Sequence, residues 1–599
     1  MGSKTVQHTQ HALLVAWGAF AEHISLPAKL QSVQLGQKRY RHTPQTKVLE
    51  FLVGILAGLQ HLQDLSLAAH PLDKDQAVAE AWGQPGWADY SGVSRTLSSL
   101  SWEEAHQIAS VLEEVGQPFL QAELEALRSQ GRRLCLDGDL TGLPVSNTSR
   151  TYPHAAYGYM NTEVRLGYQA ALVSLESPTY GRLWLSVAHH PGDTVSCSQA
   201  EALVLAAEER TGLRPRRRTD LLQGRIQSLE EALAGAAKRL EIQQQAVQTA
   251  HERLDAAQQQ QQERQQQLAE LEHHYRERHR PERPYSRLAQ TRRRAQAAQK
   301  RVHTREQALQ TAQRRLDKAR RRYQEQQATL ASLQQRLARF EQENAANPNP
   351  VEAEFRLDAG FGTYENITLL IEMGYEVYTK PYSHRVVAYL QRQVDDQTPW
   401  ERVGANAEMT AWQQATLKGC PYPLDVALER LHTGKTVKYS ALLHFGNDPV
   451  TENLAGWFAH YNGRQTIEAG IKESKQVFHI HRIKVRSEPA IYLQERFTVF
   501  AANFIRWATH WLSRLPQSNE NALDVRQMGL KRQVQVGAHV SAQISRSSEG
   551  KLLRFSDYSA FAGKVLRLPV GASPPLTRRK YCKIRMFSVI PHLIAQLLR

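Results

Sequence analysis

Apolar positions recur at helical spacing through the first 128 residues, with Val48, Leu52, Leu59 and Leu62 on one stripe and Ala105 to Leu127 on another. The loop Ala81-Trp-Gly-Gln-Pro-Gly-Trp87 separates them, and an all-helical domain is expected. Within it, Tyr90 to Leu97 reads either as a helix presenting Ser94, Arg95 and Thr96 to a DNA groove or as a plain capped helix. From Arg133 the period changes to alternation. Leu134 to Asp139, Tyr168 to Ser174 and Arg182 to Ala188 predict an antiparallel meander, followed by a helix from about Ser198. Glu354 to Asp358 and Gly374 to Thr379 predict two more strands around a helix from Tyr364 to Met373, and strand-helix-strand implies a parallel pair. Short strands fill 381–449, among them Thr436 to His444. Residues 451–515 are strongly helical, and 516–599 are basic, with strand-like pieces at Gln533-Val-Gln-Val536 and Lys564 to Leu568.

Between the meander and Glu354 the apolar positions repeat every seven residues. Ile226, Leu233, Leu240, Val247, Leu254, Gln261, Leu268 and Tyr275 take heptad position a, with Leu222, Leu229, Ala236, Gln243, Ala250, Ala257, Arg264 and Leu271 at d. The pattern stops at His279-Arg-Pro-Glu-Arg-Pro-Tyr285, where two prolines break a helix. It resumes with Leu288, Ala295, Val302, Leu309, Leu316, Tyr323, Leu330 and Leu337 at a, and Ala298, Ala312, Ala319, Leu333 and Phe340 at d. Matched seams around a proline turn predict a long antiparallel coiled-coil hairpin. About 60 residues per arm at roughly 1.5 Å each give a rod on the order of 90 Å.

Charge concentrates in that hairpin. The 599-residue chain has 75 Lys plus Arg against 59 Asp plus Glu, a formal +16. Residues 211–350 hold 28 of the cations, 25 of them Arg, and 16 of the acids, a net +12. This fits solvated outer faces or contact with DNA, and the arginine excess favours phosphate. A hairpin splitting a compact head also resembles SMC-type ATPases, which need a phosphate-binding loop. At Gly434-Lys435-Thr436 the loop's earlier glycine is Glu429, and Leu424 to Leu431 reads as helix rather than strand, which argues against an ATPase. Cys135, Cys197, Cys420 and Cys582 stand at least 62 positions apart, against a disulfide framework or zinc ribbon, so a reducing, cytoplasmic setting is expected. The opening residues show no charged-then-apolar leader, and the apolar stretches near Ala12 to Ala21 and Phe51 to Leu59 are too short for a bilayer, so no membrane partner is expected.

Asp137 and Asp139 stand two apart, so on a strand both carboxylates point to one face, and Asp358 ends another strand just before Ala359-Gly-Phe-Gly362. Acids converging from two strands and a helix would suit two-metal phosphodiester chemistry, whereas an isolated Asp at a strand end is commonly a turn residue. Further on, Tyr461-Asn-Gly-Arg464-Gln-Thr-Ile-Glu468-Ala-Gly-Ile-Lys-Glu-Ser-Lys475 places Tyr461, Arg464, Glu468 and Lys475 on one helical stripe. A solvated amphipathic face has the same spacing, but no reason to put Tyr-x2-Arg-x3-Glu-x6-Lys behind two aspartate strands.

Here the chain resembles the DDE transposases of bacterial insertion sequences, the RNase H-like group whose third acid lies in a Y-x2-R-x3-E-x6-K motif. All four motif positions match. Asp139-Leu-Thr141 is similar to that group's D-x-T, Arg356-Leu-Asp358-Ala-Gly360-Phe361 to its R-x-D-x-G-F block, and Gly374 to Lys380 to the segment that follows. The resemblance covers about residues 130–200 and 350–510. It implies an α/β fold: an RNase H-like mixed-sheet catalytic core interrupted by the coiled-coil hairpin and a β-rich insertion, with a helical N-terminal DNA-binding domain. The expected division is 1–128 (helical domain), 129–215, 346–384 and 451–515 (core), 216–345 (hairpin), 385–450 (β-rich insertion) and 516–599 (basic C-terminal region).

The resemblance further implies that Asp139, Asp358 and Glu468 hold two Mg²⁺ ions, with Mn²⁺ able to substitute. Arg464 and Lys475 would hold DNA phosphates, and Tyr461 would sit at the cleaved end. Asp137 shares the face of Asp139, and only Thr141 favours the latter as first acid. Relatives carry in the β-rich insertion an aromatic that stacks on a flipped base; Trp400 and Trp412 are the candidates, against the commoner buried tryptophan. The basic hairpin departs from the family pattern, and its expected role is to reach along DNA or clamp a second protomer. The function implied is a transposase, nucleoid-associated, that binds terminal inverted repeats of double-stranded DNA as a homodimer and catalyses Mg²⁺-dependent strand cleavage and transfer. Two alternatives stay open: a catalytically silent, transposase-derived DNA-bridging protein that uses the basic coil, and a nuclease that cuts without transfer.

Overall fold

The computed structural model describes residues 6–37, 41–147, 152–160, 163–517, 521–547 and 550–569; Cys582 and the rest of the basic stretch from 570 lie outside the described residues. A short strand, β1 (Gln7–Thr9), leads into helices α1 (Ala12–His23), α2 (Leu26–Gln31), α3 (Pro44–Leu56), α4 (Asp64–Leu67), α5 (Gln76–Ala81), α6 (Tyr90–Ser98) and α7 (Trp102–Ser129). Local chemistry sets their starts: Thr43 caps α3, Asp89 caps α6, and Ser101 with Glu104 forms a reciprocal capping box on α7. In α6, Thr96 is buried and Ser94 half-buried, so only Arg95 faces outward. The plain capped helix describes α6, and the groove-facing trio does not.

The chain then forms β2 (Leu134–Pro144), β3 (Ala156–Met160), β4 (Glu163–Ser177), β5 (Gly181–Pro191) and α8 (Ala200–Thr211). Two 59-residue helices follow, α9 (Thr219–Glu277) and α10 (Arg287–Ala345), before β6 (Ala353–Arg356), α11 (Tyr364–Glu372), β7 (Glu376–Thr379) and α12 (His384–Gln391). The rest comprises β8 (Glu401–Arg402), β9 (Ala407–Ala415), β10 (Leu424–Thr433), β11 (Thr436–Phe445), α13 (Leu454–Asn462), α14 (Gln465–Gln476), α15 (Glu488–Arg514), α16 (Leu530–Gln535), β12 (Ala542–Ser547), β13 (Gly550–Phe555) and β14 (Val565–Leu568). The fold is mixed α/β.

A ten-stranded mixed sheet is the centre. β5, β4 and β2 pair antiparallel, β2, β6 and β7 pair parallel, and the sheet continues antiparallel through β11, β10, β9 and β8. Residues 385–450 therefore extend the central sheet. Leu424 to Leu431 is strand β10 where a helix was expected. Its first six residues are all buried, covered on both faces of the sheet, so the alternation that marks a strand is missing. Gly434, at φ 59°, and Lys435 make the two-residue turn between paired Thr433 and Thr436, so Gly-Lys-Thr belongs to a β-hairpin. Gln533 to Val536, expected as a strand, lies mainly in α16: Leu530, Gln533 and Val534 are buried at helical spacing, and four alternating residues are too few to decide the period. A second sheet, β1–β12–β13–β14, joins the first strand to the C-terminal region.

Helices α9 and α10 pack antiparallel as a hairpin. Their nine buried residues, Leu222, Ile226, Leu254, Leu288, Ala295, Ala298, Val302, Leu333 and Phe340, all occupy heptad positions a or d. The root is fixed electrostatically: the fully buried Glu372 of α11 accepts Arg225 of α9 at 2.6 Å and Arg336 of α10 at 2.8 Å. Among the described residues no helix is long and apolar enough to cross a membrane.

Candidate active site

The site begins with a buried ion pair. Asp137 of β2 and Arg356 of β6 are register partners in the parallel pair, and the guanidinium donates Nε to Asp137 Oδ1 at 2.7 Å and Nη2 to Oδ2 at 2.9 Å. Both side chains are 1% exposed. This uses both carboxylate oxygens of Asp137, so Asp139 is the acid free to face a site. Two residues beyond the pair, Asp139 lies mid-way along β2, past the last residue paired with β6, and Asp358 lies in the loop just after β6, close enough for the two carboxylates to feel each other's charge. Gly138 between the two aspartates is required by packing: a Cβ there would lie 2.9 Å from Leu357 and Phe355 and 3.2 Å from Leu203 of α8.

The third acid arrives on α14. The tyrosine-arginine-glutamate-lysine run straddles a break between α13 and α14 at Gly463 and Arg464, both still in right-handed helical conformation, so the stripe persists across it. Gly463 is needed because a Cβ would sit 2.6 Å from Arg356 Nη1, which donates to His460 O at 3.1 Å. Arg356 thus ties β2 and β6 to α13, the helix that leads into α14 and Glu468.

Arg464 lies among the acids. It donates Nη1 to Asp139 Oδ2 at 3.4 Å and Nη2 to Glu468 Oε1. Burial works against its charge, yet Tyr461, Asp139, Asp358 and Glu468 around it hold its pKa above the ordinary value. Burial pushes the Asp139 carboxyl up to about 7; Arg464 opposes the rise, and Asp358 and Glu468 add to it. Asp358 Oδ1 is buried with no hydrogen-bond partner, and any side chain at Gly360 would press on it at 3.1 Å. Glu468 is the open side, its side chain 53% exposed. The three acids share one electrostatic site but do not form one of the tight groups with ligand atoms within 4.8 Å of one another. Like charges separate unless a cation lies among them, and here the cation is a bulky guanidinium.

Tyr461 is 5% exposed and donates its hydroxyl to Leu357 O at 3.2 Å, next to Asp358. Its hydroxyl therefore braces the backbone immediately before Asp358. Lys380 Nζ stands 5.6 Å above its ring centroid. Lys475 is half-buried; burial lowers its pKa and Asp139 opposes that shift. It lines an open cleft of about 600 Å³ with Gly142, Pro144, Arg165, Arg482 and Lys531. The cleft follows β2 away from Asp139 and carries positive charge. Neither it nor the Arg356 anchor was read from the sequence, although the run His479-Ile-His-Arg-Ile-Lys484 directly after Lys475 is a visible basic signal. Trp400 and Trp412 are both half-buried against the core, and the Arg430 guanidinium lies 4.0 Å from the Trp400 ring centroid.

Two tighter groups lie at the opposite ends of the strands, Cys135 with Glu354 and His460, and Glu354 with Glu376 and Asp448. Their charge is already met: Arg133 reaches Glu376 and Asp448 at 2.7 Å, and His460 reaches Glu354 at 2.8 Å. No protein-family model matches this chain, and no curated protein matches it significantly.

Proposed function

We propose that this chain is a DDE-type transposase with an RNase H-like core, cleaving and rejoining the ends of a mobile DNA element. The observation that carries the reading is the convergence of Asp139, Asp358 and Glu468 on one cation, Arg464, with Asp358 Oδ1 buried and unpartnered. The antiparallel meander joined through β2 to the parallel pair β6 and β7, with Asp139 on β2, Asp358 just after β6 and Glu468 on α14, supports this reading.

The donor set fits Mg²⁺ or Mn²⁺, since it offers carboxylate oxygens alone and one of them has no other partner. Asp139, Asp358 and Glu468 would hold such ions, which would supply activation of the attacking hydroxyl or water and stabilisation of the leaving oxygen. The protein's own residues do the rest. Arg356 and Asp137 set the two aspartates side by side, and Tyr461 holds the backbone before Asp358. Arg464 neutralises the acids and, once displaced, would be placed to meet a DNA phosphate. Lys475, Arg165, Arg482 and Lys531 give the strand a basic path away from the acids.

The test is cleavage of a labelled duplex carrying the element's own ends, with Mg²⁺ or Mn²⁺, by the intact protein and by Glu468→Gln. Cleavage by the former and loss in the latter, with DNA binding retained, is the expected result. Tight binding without cleavage by either protein overturns the enzyme and leaves the silent bridging protein; cutting without joining of ends leaves a nuclease.

A further inference from the structure

The charge of the helical hairpin belongs to one arm and one flank. Helix α10 has 15 Lys plus Arg against 5 acids, whereas α9 has 6 against 10. The seam fixes how the arms lie: in an antiparallel pair, the heptad positions just before a (g) meet each other along one flank, and those four after a (e) meet along the other. The contacts follow this rule. Arg301 with Gln260 is a g–g contact, while Arg292 with Glu272 and Gln334 with Glu230 are e–e contacts.

The two flanks differ in chemistry. The e flank mixes signs, with Glu230, Glu272 and Glu306 among its residues and the Arg292–Glu272 ion pair across it. On the g flank, α9 from Arg239 to His274 and α10 from Arg287 to Arg322 present no acid. Arg239 and Arg253 come from α9, and Arg294, Arg301, Arg315 and Arg322 from α10. All six are exposed, and none forms an ion pair among the described residues. Each of the four on α10 follows another Lys or Arg in sequence, which doubles the stripe.

A solvated hairpin needs no such segregation, because alternating signs along both flanks would give ion pairs and solubility together. We infer that the g flank is a phosphate rail for duplex DNA. Seven-residue steps place the α10 arginines at multiples of about 10.5 Å, and Arg294 to Arg322 spans about 42 Å. That exceeds one turn of duplex, about 34 Å, so a straight rod can cross successive phosphate ridges. A single strand is gripped by bases stacking on aromatics, and positions f and g of α10 carry none along this stretch. The choice of DNA among polyanions rests on the proposed reading of the catalytic acids; the rail itself rests on register and charge. The head's basic cleft would hold DNA at the acids, and the rail would hold it farther out, which lengthens the footprint.

The test measures affinity of the full-length protein for a duplex longer than the rail, across a salt series. It compares wild type with a variant carrying Arg→Gln at 294, 301, 315 and 322, and with Arg→Lys at the same four positions. The expected result is a salt dependence shallower by about 3 to 4 in log–log slope for the Gln variant and unchanged for the Lys variant. If the fourfold Gln variant does not fold, Arg301→Glu with Arg315→Glu reads the same effect from two exposed positions. Wild-type affinity and slope in the Gln or Glu variant overturns the rail, as does tighter binding of a single strand than of duplex. Cleavage dependent on Glu468, measured alongside, separates the two ideas: a shallower slope without cleavage keeps the rail and removes the transposase, and cleavage with an unchanged slope does the reverse.

Discussion

Asp137 and Arg356 face each other as register partners on adjacent parallel strands, and each stands two residues before an acid of the site. The pair is buried and bidentate, so it aligns the strands more rigidly than the backbone ladder alone. Removing one member leaves a buried charge without its partner. Arg356→Met is expected to cost about 3–5 kcal/mol in urea unfolding. Adding Asp137→Leu to it should recover much of that loss, since the other acid paired with Arg356, Glu176, is part-exposed and keeps Arg132 at 4.0 Å. An Arg356→Met protein as stable as wild type would show that the pair does not organise the sheet.

Arg464 is the counter-ion of the acids in the absence of metal. Arg464→Met leaves three carboxylates facing one another, and a loss of about 2–4 kcal/mol is expected in metal-free buffer. Mg²⁺ or Mn²⁺ should restore stability, by about 2.7 kcal/mol at a hundred times its dissociation constant. Thermal unfolding with and without the ion reads this without any assay of activity. A variant whose melting temperature ignores both ions argues against a metal site at Asp139, Asp358 and Glu468.

The hairpin was legible because a seven-residue period sustained over two arms leaves few alternatives, and all nine of its buried residues sit at the positions the period names. The strand position of Asp139 was legible from alternation, whereas the strand expected to reach Asp358 ends at Arg356 and leaves Asp358 in the loop after it. The partner of Asp137 was not, since Arg356 lies 219 positions away and only the sheet register brings it close. Strand β10 failed for a physical reason, because burial on both faces removes alternation. The burial of Tyr461 was not legible either, because a motif records which residues share a face and not how deep that face lies.

Lys484 follows the α14 helix and is half-buried, donating Nζ to Phe478 O at 3.4 Å and His479 O at 3.3 Å. Burial, with Arg482 adding to it, pushes its pKa down to about 7 from 10.5. The folded state therefore holds fewer protons than the unfolded chain between these values, so this residue's contribution to stability rises with pH from 7 to 10.5. Below pH 7 the folded protein carries a half-buried ammonium, at a cost of several kcal/mol at about 1.4 per pKa unit. Lys484→Met should therefore stabilise the protein at pH 6 by about 2–4 kcal/mol, allowing for two carbonyls left without a donor. The gain should shrink as pH rises and reverse near pH 10, where only the lost hydrogen bonds remain. Urea unfolding at pH 6, 8 and 10 checks the trend, and a constant difference at all three would contradict it.

Glu372 links the site to the hairpin. It lies at the end of α11, the helix that follows the Asp358 loop, and its buried carboxylate accepts Arg225 from one arm, Arg336 from the other and the Tyr422 hydroxyl at 3.1 Å. One side chain therefore joins both arms to α11, beside the buried Arg217 that holds Glu343 of α10 and Glu208 of α8. Glu372→Gln keeps the shape but removes the charge, leaving two cations at the root unpaired. A loss of about 3–5 kcal/mol is expected, concentrated in local opening of the root. Amide hydrogen exchange should speed up around Arg225 and Arg336 while the central sheet stays protected. If the hairpin carries DNA on its flank, the same variant should retain the salt slope of duplex binding, because the rail arginines are untouched, yet lose cleavage, because the rail is no longer held at a fixed angle to Asp139, Asp358 and Glu468. Retention of both would show that the hairpin acts independently of the acids.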